Sequence, residues 1–337
     1  MTSDSWFMLF PIAFHALLFH ITPRLSRPDI LFAVTVPEAF ASGDGRTLVS
    51  RYRAVVWTGA LVAGALVLLL ASHDFLKVAV VFGNVIVGLS AWLWANRKAR
   101  AHAIVPSDVR VASLVPRDTS LPGGALFAGG PFAILLISAV LVLTHWNELP
   151  EAARTLKAFG PLAMGAVQAA MMLTMAVSLA RRTRQVSVEG MAAAAEQKFR
   201  RINVFVIVLV GYGMAIMLSA VTLSRIPSFG EALSQRVGFL LLPLMLFNFA
   251  VAFWMFRVGQ GGQRALPASE RQDTRGDATP DHAWKIGGMF YFNPKDPALW
   301  VEQRIGIGYT LNMGNTSAWL LIGIMFVPLI AARLFLF

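Results

Sequence analysis

Cysteine is absent from all 337 residues, so disulfides, thiolate nucleophiles and Cys-ligated metals play no part in this chain. Charge is scarce: charged residues make up 14% of the sequence, against 56% hydrophobic residues. With a mean hydropathy of +0.62, that balance lies outside the range of soluble domains and marks an integral membrane protein. No Walker loop, H-E-x-x-H helix or G-x-S-x-G elbow occurs, and "GIGYTL" lacks the third glycine and following helix of a dinucleotide fingerprint. The chain therefore reads as non-enzymatic, without cofactor or metal; an enzyme would need a motif of another kind. Nor does any carboxylate or cation lie deep in an apolar run, where ion-coupled carriers usually place one.

What is present is a series of apolar runs. A span needs about 20 mostly apolar residues to cross about 30 Å of hydrocarbon. Eight runs approach that length: Trp6 to Thr22, Ala54 to Ser72, Phe75 to Ala95, Leu126 to Trp146, Ala158 to Ala180, Ile202 to Leu223, Val237 to Phe256 and Ser317 to Phe337. The net charge of +11 is distributed unevenly between them. The connections after the first, third, fifth and seventh runs carry five, five, six and seven Lys and Arg, which leaves six of the 29 for the other side. By the positive-inside rule the basic connections face the cytoplasm and both termini face outward. The cations then lie against an anionic inner leaflet, each contributing about 1 kcal/mol, and nucleic acid is not needed to account for them.

The inward connections are long and contain strand signals. "RPDILFAVTVP" (27–37) and "SDVRVASLVP" (107–116) are β-branched and each ends in proline. In "FYFNPKDPALWVEQRIGIGYTLN", Phe290 to Asn312, the turn residues "PKDPAL" are flanked by "GGMFYFN" and "WVEQRIGIGYTLN", which predicts a hairpin closed at the prolines. Joined by strands near Leu31 and Val111, it would form a small mixed sheet. The fold class is thus an all-α polytopic membrane protein of about eight transmembrane helices with a small cytoplasmic β-sheet cap built from inner loops. Its parts are a region of seven helices (1–256), a flexible linker rich in Gly, Pro and Ser (257–283), a hairpin segment (284–316) and a last helix (317–337).

Polar groups inside apolar runs are costly, so they are candidates for a site. Asn84 and Asn248 fall in the third and seventh runs and Gln168 in the fifth. If the chain were a parallel repeat of two four-span halves, Asn84 and Asn248 would be counterparts. Interhelical hydrogen bonding is the ordinary role of such amides, and a shared substrate site is the alternative. His15 and His20 are five residues apart, about 140° around a helix, and so do not share a face. In the hairpin segment Asn293, Asp296 and Asn312 suit turn capping, or a polar pocket in which Arg304 binds an anion.

The stretch from Trp284 to about Trp319 resembles an uncharacterised bacterial family in which a tryptophan and "YFNPxDP" precede "VxxRxGxGxTLN" and a terminal span. A second stretch, Leu143 to Met164, resembles the outer-loop motif "PxHWN…GxPD…K…P" of multi-pass proteins that include SdpI-type immunity and signal-receptor proteins. His145, Trp146, Asn147, Lys157 and Pro161 match it; the "GxPD" turn is missing. The first resemblance implies a bacterial inner membrane and no assigned reaction. The second implies sensing of an outside peptide, coupled to a cytoplasmic regulatory protein. The expected function is a receptor, immunity or regulatory membrane protein with a partner-binding cap; the alternative is a transporter or lipid-handling protein with a site at Asn84, Asn248 and Gln168.

Overall fold

The computed structural model describes residues 3–70, 73–104, 118–182, 191–265, 279–324 and 326. The first seven apolar runs lie on helices, and a short helix, α2, precedes the second of them; the order is α1 (Ser3–Ile21), α2 (Glu38–Ser42), α3 (Asp44–Leu69), α4 (Asp74–Arg100), α5 (Gly124–Thr144), α6 (Gly160–Ala180), α7 (Met191–Leu223) and α8 (Pro227–Val258). A last helix opens at 316 and is described to 324. Six stretches among the described residues are long and apolar enough to cross a membrane: Phe7–Arg24, Asp44–Leu69, Asp74–Arg100, Gly124–Thr144, Gly160–Ala180 and Ala195–Leu223. They coincide with the first six expected runs. The seventh falls within α8, and most of the eighth lies outside the described residues.

The helices pack as two groups of three, α1 with α3 and α4, and α5 with α6 and α7, while α8 lies along α7. Four-span halves are therefore not the packing units, because the fourth span, α5, joins α6 and α7. Small residues let the helices approach closely. A side chain at Gly88 would strike the ring of Phe19, and one at Gly130 would strike Tyr212. Large apolar residues such as Leu61, Phe82 and Leu136 point outward, more than 60% exposed. A helix apolar on its outer as well as its inner face is built for an apolar surrounding.

Where a single mixed sheet is expected, three separate two-stranded antiparallel ladders occur. β1 (Ile30–Leu31) pairs with β2 (Val34–Thr35), β3 (Trp284–Lys285) with β4 (Phe290–Tyr291), and β5 (Trp300–Glu302) with β6 (Tyr309–Leu311). The expected hairpin is thus displaced. "WVEQRIGIGYTLN" is not one strand but folds back on itself, because Gly306 (φ 90°) and Gly308 (φ 134°) take conformations closed to other residues. The proline-bearing "PKDPAL" instead leads from β4 to β5, and a lone parallel bridge joins Tyr291 to Asn312. The strand expected near Val111 lies outside the described residues.

The linker expected over 257–283 is built into the fold at both ends. Residues 260–265 form tight turns kinked at the left-handed Gly261 and Gly262, and residues 281–283 form a short helical turn; residues 266–278 lie outside the described residues.

Candidate functional site

Residues 279–315 dock where α1, α4 and α6 end and α7 begins, and touch both helix groups. On the first group, Trp92 of α4 donates its indole N–H to the Gly287 carbonyl (2.9 Å), and Arg100 donates to the Trp284 carbonyl (3.1 Å). On the second, Trp300 donates to the Ser178 hydroxyl (3.0 Å) and Tyr309 to the Glu196 carboxylate (3.2 Å). The segment therefore clamps the two groups together at one end.

Three charge pairs hold the clamp. Arg27, in the connection after α1, forms two-pronged hydrogen bonds to Glu302, with its Nη2 2.8 Å from Oε2; the two residues are 6% and 5% exposed. Arg182 lies 2.9 Å from Glu196, and its guanidinium sits 4.6 Å over the Tyr309 ring. Burial, reinforced by the Glu196 carboxylate, pushes the Tyr309 phenol well above its ordinary pKa, so it stays a neutral donor. Arg304, 1% exposed, donates to the carbonyls of Ala33 (2.9 Å) and Thr279 (2.7 Å) and to the Asp281 carboxylate (2.5 Å). Its guanidinium also lies 5.3 Å from the Trp284 ring centre. Rather than opening onto an anion pocket, Arg304 is enclosed by acceptors of the chain itself.

Asn293, Asp296 and Asn312 come together in one knot around Tyr291. Asn312, fully buried, accepts from the backbone N–H of Asn293 (3.0 Å) and Gly314 (3.0 Å), and donates to the carbonyls of Asn293 (2.9 Å) and Asp296 (2.9 Å). Those four bonds fill the capacity of its amide. Asp296 accepts from the Tyr291 hydroxyl (2.9 Å) and from the N–H of Ala298 (3.0 Å). Asn293 accepts from the N–H of Lys295 (3.1 Å) and donates to the Tyr291 hydroxyl (3.1 Å). All three act as turn builders between β4 and β5.

Gln260 completes the clamp from an unexpected place. Its amide donates to the Gly308 carbonyl (2.9 Å) and accepts from the Gly308 N–H (2.8 Å), pairing with the turn as a neighbouring strand would. It stands in a glycine-rich stretch whose composition reads as a tether, so no local signal distinguishes it. Arg27, Glu302, Glu196 and Asp281 escape sequence reasoning for a related reason: partners such as Arg27 and Glu302 lie 275 residues apart.

The remaining candidates are scattered. Asn84 is 6% exposed, and its amide donates across to the Ile12 carbonyl of α1 at 3.4 Å. Gln168, half-buried on α6, belongs to the other helix group. Asn248 lies on α8 with its side chain outside the described set. Asn84 and Gln168 are thus not brought together.

At the opposite end of the helices, the connection from α5 to α6 folds as short helical turns. His145 donates to the Leu141 carbonyl (3.0 Å) and meets Phe229 edge-on, and Trp146 stacks on Phe159. Glu148 accepts from the Ser228 N–H (3.3 Å) in the first turn of α8, where backbone donors lack helical partners. Hydrogen bonding to Ser228 holds its carboxyl below the usual range, against an opposing desolvation effect and with help from His145. Because the folded pKa is the lower one, this contact stabilises above the unfolded glutamate value of about 4.3 and is lost as pH falls through the folded value. Amide exchange across 145–159 and the start of α8, corrected for intrinsic rates, should quicken at acid pH in the native chain. In Glu148→Gln it should show no such pH step; an equal step in both would remove Glu148 from the account.

A family of unknown function, DUF5808, matches residues 294–319, the part of the chain that holds Asp296 and Asn312 of the turn knot, β5, β6 and the start of the last helix. No curated protein and no solved structure matches the chain.

Proposed function

We propose that this is a non-enzymatic polytopic membrane protein of receptor, immunity or regulatory type, in which the clamp passes the arrangement of the helices to a cytoplasmic partner. In this reading about eight helices span a bacterial inner membrane, the basic helix ends and the clamp face the anionic inner leaflet, and both termini lie outside. One observation carries it: the clamp is joined to both helix groups by buried polar contacts yet turns a face of different character outward. In the β3–β4 ladder Trp284 and Tyr291 point inward, while Phe290 and Phe292, both more than 40% exposed, point out beside Lys285. A shift of one helix group against the other must strain the joints on either side of the clamp, Trp92–Gly287 and Arg27–Glu302 on one and Trp300–Ser178 and Tyr309–Glu196 on the other, and that strain reaches the outward face through Trp284.

The likeness of 143–164 to the outer loop of SdpI-type proteins supports an outside peptide as the input, received near His145 and Trp146. Carriage between the helices has less support, since Asn84 and Gln168 lie in separate groups.

The absence of native cysteine makes the test direct, because a single introduced thiol reports its own surroundings. Lys285→Cys should be labelled only from the cytoplasmic side and Glu151→Cys only from outside. A photo-crosslinking residue at position 290 should then yield one protein adduct in native membranes, lost on Phe292→Asp while membrane insertion persists. Adducts to lipid alone, or an adduct indifferent to Phe292→Asp, would sink the partner-binding reading.

A further inference from the structure

An open cleft of about 400 Å³ lies between α7, α8 and the entry to α5, away from the clamp. Four of its residues, Lys198, Arg201, Ile202 and Phe205, stand three or four apart on α7 and so share one helix face. That face changes character along its length: Lys198 and Arg201 are exposed cations, while Ile202 and Phe205 begin the long apolar stretch. Trp254 forms the opposite wall, close to the end of the apolar segment Phe249–Val258 of α8. Cations at one end, apolar walls at the other and a tryptophan at the change-over are the features of a membrane–water interface.

The charges at the polar end decide the ligand. Arg201 is ion-paired to Asp118, and among the described residues no carboxylate pairs with Lys198. The mouth therefore holds two cations and one anion, with the Gln197 amide beside them. We infer that this cleft binds an anionic phospholipid: its phosphate lies against the Lys198 ammonium, the Gln197 amide and the outer N–H groups of Arg201, and an acyl chain runs along Ile202, Phe205 and Trp254. A free phosphate would satisfy the cations but leave the apolar walls uncovered, so a lipid uses the whole cleft. The inference rests on the membrane placement proposed above and adds a specific site to it.

The test is native mass spectrometry of the detergent-purified full chain with added phosphatidylglycerol, phosphatidylcholine or glycerol 3-phosphate. One phosphatidylglycerol should be retained, with a preference over phosphatidylcholine of about tenfold, and Lys198→Glu should reduce retention by about tenfold, the scale of a lost cation contact. Lys285→Glu, an equal change of charge on the clamp, should leave it unchanged, and Trp254→Ala should weaken retention of both lipids. Equal retention of the two lipids, an unaltered Lys198→Glu variant, or retention of glycerol 3-phosphate as strong as that of phosphatidylglycerol would each overturn the assignment. Alkaline carbonate extraction of native membranes separates the two levels: a wild-type chain that is released refutes the membrane placement, whereas one that resists while binding no lipid refutes only the cleft.

Discussion

Arg304→Met is expected to destabilise the protein by about 3–5 kcal/mol, the range for removing one member of a buried charge pair. Methionine preserves most of the stem volume, so the loss isolates the guanidinium. Without it the carbonyls of Ala33 and Thr279 lose a charged donor in an enclosed space, and the Asp281 carboxylate loses its cation and is left with the Thr35 N–H and hydroxyl. The Ala33 carbonyl carries a further consequence. Phe32 (φ 49°) and Ala33 (φ 64°) make the two-residue turn between β1 and β2 with both residues left-handed, a geometry that usually selects Asn-Gly. This non-glycine turn persists because its surroundings hold it: Asn96 donates to the Phe32 carbonyl (2.7 Å), Arg304 donates to that of Ala33, and the Phe32 ring packs edge-on against Tyr52 and Trp92. Arg304→Met should therefore also speed amide exchange at residues 30–35 beyond the global effect. Arg304→Lys keeps the charge but not the planar fork, and should fall between wild type and Met. Thermal unfolding in detergent reads the series; a Met variant as stable as wild type would mean that the clamp does not depend on this residue.

The parts of this fold that were legible in the sequence are those whose signal is local. A transmembrane helix is announced by its own length and apolarity: the run Phe75 to Ala95 falls inside α4, and the run that opens at Ala54 follows α3 to its end at Leu69. The "NPKDP" turn is announced by residues that bond their own backbone, as Asn293 and Asp296 do. Legibility failed where a local pattern has two solutions. Gln303, Ile305, Ile307, Tyr309 and Leu311 alternate as a strand does, but the glycines between them permit a reversal, and the pairing of Trp300 with Leu311 outweighs the alternation. The clamp itself was hidden for a different reason. A buried arginine announces no partner in the sequence, so Arg304 was equally consistent with an external anion and with Asp281.

The Arg27–Glu302 pair separates stability from signalling. Glu302→Leu alone takes the two-pronged carboxylate from the Arg27 guanidinium at 6% exposure, and Arg27→Met alone takes the cation from the Glu302 carboxylate; each is expected to cost about 3–5 kcal/mol. The double variant Arg27→Met/Glu302→Leu removes both charges and fills the space with apolar groups of similar size. Such replacements of buried pairs are often neutral or stabilising, so most of the loss should be recovered, with a coupling energy on the order of 3 kcal/mol or more. Additive losses would show that the two residues act independently despite their 2.8 Å contact. If the clamp only fastens the helices, the double variant should also crosslink its partner from position 290 as wild type does. If the clamp transmits helix position, an apolar joint will hold yet slide more readily than a two-pronged ion pair fixed in direction. The double variant should then be stable and inserted but defective in partner crosslinking, an outcome that loss of stability cannot mimic.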